Sequence, residues 1–350
     1  MKRLYGVGVL GGGGGIGRNH IESFQSSPYA KVLAIAETSD ARGEDACRRY
    51  RVPDCHQDWR VLLRRKDIQV VSIALPNYLH AEVACAALAA GKHVLLEKPM
   101  ATSARAAAKI VAAAKRARRV LMVGQNMRFT PDAQRLRTII SAGRLGKISH
   151  GRAWWYRRSG IPRIGSWFTQ KKFAGGGVCY DLGVHLLDLA LHLMDDFRVV
   201  SVSGAVSGHL GAKGIGDGSW GKSEIGPRRI FDVEDRAVAL IKLQNRATLY
   251  LEVTWATFQE NDATYGVELF GDKAAASWQP AKVHSMVPGL AKTEQISGGA
   301  LPYPTDRIVH FMECVARGKT PLVRPEESLQ VQRALDGIYA SSRTGREVRL

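Results

Sequence analysis

Hydrophobic and polar residues follow one pattern up to about residue 126 and a different one beyond it. In the first part, short apolar runs typical of strands alternate with longer runs whose apolar residues recur at helical spacing. This alternation predicts parallel βαβ units. The predicted strands are residues 4–10, 31–36, 69–74, 93–96 and 120–123, and the predicted helices are residues 17–26, 40–50, 80–90 and 103–118. Asp40 and Ser103 are the predicted N-caps of two of these helices.

The second part of the chain predicts an α+β domain with a mostly antiparallel sheet. Its predicted strands are residues 148–156, 199–206, 237–243, 247–254 and 265–270, and its predicted helices are residues 131–142, 306–316 and 326–341 together with one after the glycines at 175–177. Residues 209–227 are rich in Gly and Lys and are predicted to form a loop. We therefore expect two domains, residues 1–125 and residues 126–350, with the last helix able to pack back on the first domain.

Composition disfavours several classes of protein. The 350 residues are 45% hydrophobic and 23% charged, as in ordinary globular domains, and no apolar run approaches the roughly 18 residues that span a bilayer. The five cysteines include no C-x-x-C pair, which excludes a zinc ribbon and indicates reduced thiols, so we expect a cytoplasmic protein that does not act on a membrane. The net charge of +18 makes nucleic-acid binding a hypothesis to consider. The basic residues are spread along the chain in short clusters, however, and are better explained as solvated surface.

Five consecutive glycines follow the first predicted strand and permit two G-x-G-x-x-G matches. The match at residues 6–11 lies inside the strand, whereas the match at residues 12–17 follows the strand and opens a helix. Only the second has the context of a dinucleotide-binding turn. There Gly12 would permit the tight turn, Gly14 would let the backbone approach a pyrophosphate, and Gly17 would allow close packing of helix and strand. The N–H groups of the helix N-terminus then suit the phosphates.

An acidic residue stands where such a turn requires one. Glu37 lies 20 residues after Gly17, at the end of the second predicted strand. A carboxylate at this point holds the ribose hydroxyls of NAD and repels the 2′-phosphate of NADP. Thr38, Ser39 and Arg42 could tolerate that phosphate, so NADP remains the less favoured cofactor. The alternative is a glycine-rich turn with a surface glutamate, but strand, glycines, helix and spaced acid together favour NAD.

Further motifs carry a resemblance to a known family. They are Pro76-Asn77 with His80, Glu97-Lys98-Pro99 at the end of residues 91–99, residues 124–129, and residues 175–188, which read G-G-G-x-x-x-D-x-G-x-H-x-x-D. Together they resemble the Gfo/Idh/MocA oxidoreductases over nearly the whole chain. The resemblance implies an α/β fold with an N-terminal Rossmann domain at residues 1–125. It also implies a C-terminal α/β domain with a large open, mostly antiparallel sheet, which binds substrate and forms a homodimer or homotetramer.

The residues in these motifs suit the oxidation of an alcohol, in which a base takes the hydroxyl proton as hydride leaves the carbon. Asp181 and His185 are four residues apart and are predicted to share one face of a helix, where the carboxylate can orient the imidazole. Lys98 follows a predicted parallel strand at the sheet edge where ligands bind, and its ammonium can stabilise negative charge on the reacting oxygen. The resemblance accordingly implies His185 as acid/base, Lys98 as electrostatic partner and Asp181 as substrate contact and orienter.

The motifs and the resemblance together give the remaining contacts. The cofactor-binding residues are Gly12, Gly14, Ile16, Gly17, Glu37, Pro76, Asn77, His80, Glu97 and Lys98, and the substrate-binding residues are Arg128, Trp167, Asp181 and His185. Leu75 departs from the family, whose members often carry a small polar residue there. The aromatic groups at residues 154–156 and 167–168 could present flat faces to a sugar, although alternation along a sheet would bury at least one ring. Arg157 could bind an anion or simply face water.

The chemical residues also have structural alternatives. A lone histidine such as His185 on a leucine-rich helix is often only packed in the core. Asp188 and His192 lie on the same predicted helix face as Asp181 and His185, and the four residues together could suggest a metal site. The family needs no metal, so we expect none.

We expect an NAD(H)-dependent oxidoreductase that transfers a hydride between nicotinamide and a secondary alcohol or ketone of a sugar, glycoside or cyclitol. This small-molecule substrate class comes from the resemblance. One rival is a redox-assisted glycosidase, which needs tightly held NAD and a further base. Another is a non-catalytic NAD-sensing regulator, which the presence of Lys98, Asp181 and His185 disfavours.

Overall fold

The computed structural model describes residues 3–218, 224–226 and 228–350. The chain divides into two compact units. The first unit comprises Met1–Gln125 and Asp306–Leu329, and the second comprises Asn126–Thr305 and Gln330–Leu350. Each unit therefore combines a long N-terminal or central segment with a short segment from the C-terminal part of the chain.

The first unit is built on a parallel sheet of six strands. They are β1 Tyr5–Leu10, β2 Ala30–Ala36, β3 Asp54–His56, β4 Val70–Ile73, β5 His93–Leu96 and β6 Leu121–Val123. Their order across the sheet is β3-β2-β1-β4-β5-β6, and every neighbouring pair is parallel. β1 and β4 are buried along their whole length, as a parallel sheet covered on both faces requires. This is the strand order of a Rossmann fold, so the predicted α/β fold is confirmed.

Helices connect these strands. They are α1 Gly15–Ser26, α2 Asp40–Tyr50, α3 Trp59–Arg64, α4 His80–Ala89 and α5 Ala104–Ala117. Ser103 caps α5 as predicted, because its hydroxyl accepts from the Ala106 amide at 3.2 Å. The predicted cap Asp40 is instead the first residue of α2, and Ser39 is the N-cap. β3 and α3 are absent from the sequence prediction, because elements of three and six residues are too short to show a period.

The second unit contains a nine-stranded sheet and a separate strand pair. Its strands are β7 Ile148–Arg157, β8 Ile161–Pro162, β9 Val199–Ser207, β10 Asp217–Gly218, β11 Arg236–Leu243, β12 Thr248–Thr254, β13 Ala263–Gly271, β14 Ala275–Trp278, β15 Lys282–Val287, β16 Leu290–Gln295 and β17 Val348–Arg349. The large sheet has the order β16-β15-β14-β13-β7-β12-β11-β9-β17. Only β7 and β12 pair in parallel within it, which confirms the predicted mostly antiparallel sheet. β8 and β10 form the separate pair.

One face of this sheet is packed and the other is not. In β11, Ala237, Ala239 and Ile241 are buried, whereas Leu240 and Lys242 between and beside them are exposed. The helices of this part of the unit are α6 Pro131–Ser141, α7 Lys171–Ala174 and α8 Val184–Met194, and both α6 and α8 contact the sheet. The strands β14 to β17 lie outside the sequence prediction, since they are short or, like β16, largely polar and exposed.

The core of the second unit explains one strongly apolar stretch. Lys171–Met194 is long and apolar enough to cross a membrane by length and composition alone, and 89% of its most apolar window is buried inside the protein. Core helices of globular domains pass the same test. Polar residues such as Asp181, His185 and Asp188 interrupt the segment, so it contains no uninterrupted apolar run of spanning length.

Two helices follow the sheet, α9 Arg307–Arg317 and α10 Pro325–Thr344. α9 belongs to the first unit, where it packs against α1, and Asp306 caps it by accepting from the Ile308 amide at 2.7 Å. The predicted loop at residues 209–227 contains the short helical turn Gly211–Lys213 and β10, and its residues 219–223 and 227 lie outside the described part of the chain.

Candidate active site

The glycine-rich turn joins β1 to α1. Gly11 takes the left-handed conformation there, with φ +81°, and Gly14 is the N-cap of α1. A Cβ atom at Gly17 would lie 2.1 Å from the backbone oxygen of Gly11, so glycine lets the first helical turn rest on the preceding loop. Gly11 is the residue of this turn with a positive φ, and a Cβ atom at the following Gly12 would lie 2.4 Å from the side chain of Ile35.

The start of α1 fits the phosphates of a dinucleotide. A Cβ atom at Gly15, the first residue of α1, would meet no other atom within 4 Å, so the helix N-terminus is open. Its N–H groups and the positive end of its dipole favour an anion. Ile16 follows in the first turn with 51% of its surface exposed, which leaves it accessible to a bound cofactor.

Glu37 lies beside this turn, as its spacing from the glycines predicts. Its carboxylate is buried, and Oε2 would lie 2.8 Å from a Cβ atom placed on Gly13. Oε1 accepts from Nη2 of Arg42 at 3.0 Å and from the Ser39 amide at 3.3 Å. The carboxylate is thus fixed next to the glycines, where a ribose diol would need an acceptor. The residues present fit NAD.

The loop after β4 carries the predicted Pro76, Asn77 and His80. Asn77 begins a short helical turn before α4 and is buried. The imidazole of His80 is completely buried, and its two nitrogens lie 2.8 Å from the carbonyl oxygens of Leu75 and Pro99. Burial lowers the pKa of His80. His80 therefore links the loop after β4 to the loop that carries Lys98.

Lys98 follows β5 directly and is held by its neighbour Glu97. The buried Glu97 carboxylate lies 2.9 Å from Nε2 of His20 and accepts from Nη2 of Arg307 at 2.5 Å. The same carboxylate accepts from the Lys98 amide at 3.2 Å, and the Lys98–Pro99 peptide is cis. Burial alone would raise the pKa of Glu97, but Arg307 and His20 hold it well below its ordinary value. An ionised carboxylate thus fixes the backbone that presents Lys98.

Asp181 and His185 lie at the start of the helical segment that follows the three glycines. Asp181 is inside a π-helical turn, Cys179–Gly183, and His185 is the second residue of α8. The predicted α-helical spacing between the two residues is therefore replaced by a wider turn at Asp181. The Asp181 carboxylate accepts from Nε1 of the buried Trp255 at 2.9 Å. This indole fixes one oxygen of the half-buried Asp181 carboxylate, in the helical segment that also carries His185.

Arg157 and aromatic rings adjoin Asp181 in the same unit. The Arg157 guanidinium lies 4.7 Å from the ring centre of Trp155, which is itself 5.2 Å from that of Tyr265. Burial lowers the pKa of Arg157, and the neighbouring Asp181 carboxylate opposes this effect. Trp167 stacks on Phe168, with 3.8 Å between the ring centres. The second unit therefore offers a carboxylate that is held by an indole and neighbours a guanidinium lying against the Trp155 ring, which suits a polar ring-shaped ligand.

Comparison with known proteins decides the family. A profile described as "Oxidoreductase family, NAD-binding Rossmann fold" matches residues 5–125, and the GFO/IDH/MocA C-terminal domain matches residues 133–277. Levoglucosan dehydrogenase of Pseudarthrobacter phenanthrenivorans is 33% identical over 71% of this chain and 67% of its own length. The chain belongs to the Gfo/Idh/MocA family. Like other members, it is an NAD-dependent oxidoreductase that acts on CH–OH groups.

Other members of the Gfo/Idh/MocA family match this chain over its full length. D-glucoside 3-dehydrogenase of Escherichia coli is 28% identical over 98% of this chain and 97% of its own. The solved structure of a levoglucosan dehydrogenase in complex with NADH and levoglucosan has a TM-score of 0.85, with 25% identity over 99% of both chains.

The Gfo/Idh/MocA motif residue Arg128 is placed differently from its prediction as a substrate contact. Its side chain is completely buried, and Nε and Nη2 donate to the two oxygens of the buried Asp188 at 2.7 and 2.6 Å. The ring of Phe197 lies 4.8 Å from the guanidinium carbon. This buried bidentate pair joins helix α8, which bears His185, to the segment after β6.

Sequence reasoning missed Trp255 as a site residue and treated Arg157 mainly as a surface charge. No motif contains them, although Trp255 directly follows β12, and strand ends are common places for site residues. Among the described residues, no group of three or more His, Cys, Asp and Glu side chains is arranged to hold a metal ion. Asp188, which the sequence placed in a metal series, is engaged with Arg128.

Proposed function

We propose that this enzyme oxidises a secondary alcohol of a sugar or glycoside, or reduces the corresponding ketone. The observation that carries the proposal is the setting of Asp181, which binds Trp255 and adjoins Arg157 over the Trp155 ring. Carboxylate and guanidinium groups suit vicinal hydroxyls, and aromatic rings suit the apolar face of a sugar ring. Relatives named for D-glucoside and levoglucosan support glycosides and anhydro sugars ahead of cyclitols.

In this proposal His185, Lys98 and Asp181 divide the work on one hydroxyl. His185 takes the hydroxyl proton during oxidation and returns it during reduction, since an imidazole titrates near neutral pH. The Lys98 ammonium donates a hydrogen bond to the reacting oxygen and stabilises its developing negative charge. Asp181 accepts a hydrogen bond from the substrate and favours the protonated form of His185. NAD, when bound, supplies the hydride chemistry.

The remaining expectations stand as proposals beside this one. Residues 1–125 would bind the cofactor and residues 126–350 the substrate, and the enzyme would work in the cytoplasm as a homodimer or homotetramer. It would bind neither nucleic acid nor membranes. Light scattering gives the oligomeric state, and DNA binding that weakens steeply with salt would contradict the prediction about nucleic acid.

A substrate panel tests the function. The purified enzyme is incubated with NAD or NADP and with levoglucosan, methyl glucosides, free sugars and inositols, and the absorbance of the reduced cofactor is followed. We expect NAD reduction with a glycoside or anhydro sugar, and a slower reaction with NADP because Glu37 lies at the ribose position. NAD binding without reduction by any polyol would contradict a dehydrogenase and support the regulator. Release of an aglycone without net formation of NADH would support the redox-assisted glycosidase.

A further inference from the structure

We propose that Glu234 is the positioning residue of the Asp181–His185 segment, and that it acts together with Asp235 and Tyr339. The proposal rests on the function proposed above for Asp181 and His185. Glu234 and Asp235 immediately precede β11 and are both buried. Neither belongs to a motif that the sequence analysis singled out.

Glu234 binds three successive backbone amides at the start of this segment. Its carboxylate accepts from the Gly177 amide at 2.9 Å through each oxygen and from the Cys179 amide at 3.0 Å. Its backbone carbonyl accepts from the Val178 amide at 3.1 Å. The first N–H groups of a helix have no partner within it, and here one residue satisfies them. Glu234 thereby fixes where the π-helical turn with Asp181 begins.

Tyr339 and the glycines complete this junction. The Tyr339 hydroxyl donates to Oε1 of Glu234 at 2.6 Å. A Cβ atom at Gly177 would lie 1.9 Å from the Glu234 carbonyl oxygen, and one at Gly176 would lie 2.0 Å from the Tyr339 hydroxyl. Two of the three glycines in the motif are therefore required by the close approach of Glu234 and Tyr339.

Asp235 is connected to Asp181 through Trp255. Its carbonyl accepts from the Trp255 amide at 2.9 Å, and the Trp255 indole donates to Asp181 at 2.9 Å. Its carboxylate accepts from the amides of Leu210 and Gly211, each at 2.7 Å, which ties it into a separate turn. Two adjacent residues thus set both the backbone that carries Asp181 and the indole that holds its carboxylate.

Glu234 differs from an ordinary buried side chain because it is a carboxylate. Among the residues that the structure describes, the hydrogen-bond partners of the Glu234 carboxylate are neutral amides and a phenol, and burial raises the pKa of Glu234 against the effect of these hydrogen bonds. A buried carboxylate without a cationic partner costs stability. The structure gives a reason to retain one here, since Oε1 alone accepts from the Gly177 and Cys179 amides and from the Tyr339 hydroxyl, three donors that an apolar side chain could not hold.

The test compares Glu234→Leu, which removes every acceptor of the side chain, with Glu234→Gln, which keeps one oxygen in nearly the same shape. Hydrogen exchange of the peptide covering residues 177–183 is measured without substrate, and turnover is expressed per NADH-binding site. We expect Glu234→Leu to lose protection in this peptide and to lower kcat on the order of 10- to 100-fold, with the KM for NAD unchanged. Glu234→Gln should recover most of both.

A matched control is Asp196→Leu, because Asp196 is another buried carboxylate of the same unit that accepts backbone amides, from Arg198 at 2.9 Å and Asn245 at 3.3 Å. We expect it to leave exchange at residues 177–183 and turnover per NADH site unchanged. Should Glu234→Leu not fold, Tyr339→Phe, which removes one donor from Glu234, takes its place with smaller losses of the same kind.

The outcomes separate this proposal from the proposed function. If no substrate is found, exchange at residues 177–183 still tests the role of Glu234. Unchanged protection in Glu234→Leu, or in its replacement Tyr339→Phe, would overturn the positioning role. So would a loss of turnover that Asp196→Leu reproduces or that Glu234→Gln fails to recover.

Discussion

Two buried glutamates adjoin the predicted chemical segments, and they are held in opposite ways. Glu97 precedes Lys98 in the first unit and meets His20 and Arg307, so its pKa lies well below the ordinary value despite burial. In the second unit, the Glu234 carboxylate accepts from backbone amides of the segment that carries Asp181 and from the Tyr339 hydroxyl. Burial raises the pKa of Glu234.

The difference shows that burial of a carboxylate does not by itself indicate its role. At Glu97 the Arg307 guanidinium balances the charge, so the ionised form contributes to the stability of the first unit at neutral pH. At Glu234 the ionised form costs stability at neutral pH, and what it provides is a fixed set of acceptors for the segment 177–179. We interpret the first as a structural ion network and the second as a device for positioning.

The largest expected effect concerns the residues that these glutamates support. His185→Asn and Lys98→Met should each lower kcat on the order of 10²- to 10⁴-fold, because each removes one partner in proton transfer or charge stabilisation. Steady-state kinetics with the substrate found in the panel measures this loss, and NADH fluorescence titration provides the control. Near-native turnover in both variants would remove the basis for the comparison, since neither segment would then carry the chemistry.

The next largest effect is on the free energy of unfolding. It distinguishes Glu97, which is paired with a cation, from Glu234, which is held by neutral donors. Arg307→Met leaves the Glu97 charge buried without its cation and should cost about 3 kcal/mol. Tyr339→Phe removes one neutral donor from Glu234 and should cost about 1 kcal/mol. Urea unfolding followed by circular dichroism measures both.

An exposed pair provides the control for this measurement. The Arg236–Glu252 pair is exposed on the arginine side, so Arg236→Met should cost well under about 1 kcal/mol. A cost for Arg307→Met no greater than that for Arg236→Met would show that the Glu97 network is not an ionic anchor.

The smallest expected effect is on the pH dependence of stability, to which Glu97 and Glu234 contribute with opposite signs. The folded-state pKa of Glu97 lies below the ordinary value of 4.5, so its contribution is present above pH 4.5 and is lost as the pH falls. The folded-state pKa of Glu234 lies above 4.5, so its contribution is present below pH 4.5 and is lost as the pH rises through the folded-state value. Relative to wild type, Glu97→Gln should therefore be most destabilised at neutral pH, whereas Glu234→Gln should gain stability between acidic and neutral pH.

Melting temperatures of wild type and the two glutamine variants across this pH range give the comparison. Parallel curves for the two variants would mean that the two carboxylates have the same electrostatic setting. That result would contradict the distinction on which the roles of Glu97 and Glu234 depend.

The sequence predicts the elements whose periods are long enough to recognise. The strands and helices around the glycine turn, and the separation of Glu37 from Gly17, follow from local patterns that the fold preserves. Short elements such as β3, and polar strands such as β16, carry no comparable signal. The N-cap of α2 was displaced by one residue, because serine and aspartate are both good caps and the sequence does not decide between them.

The candidate site was only partly accessible from sequence. Lys98, Asp181 and His185 stand in motifs, but Trp255 contacts Asp181 across 74 residues of chain and Glu234 contacts Gly177 across 57. Such contacts depend on strand pairing in the large sheet rather than on local spacing. Arg128 shows the converse case, in which a residue of a recognisable motif is committed to a buried partner.

The most direct test of the central claim is to follow the hydrogen that leaves the substrate. Wild-type enzyme is incubated with NAD and with levoglucosan, a proposed substrate, or a methyl glucoside, deuterated at every carbon, and the cofactor is examined by NMR. We predict deuterium at C4 of the reduced nicotinamide, together with one ketone in the sugar and loss of both products in His185→Asn. Binding of NAD without any transfer of deuterium from these sugars or from the wider panel would contradict the account.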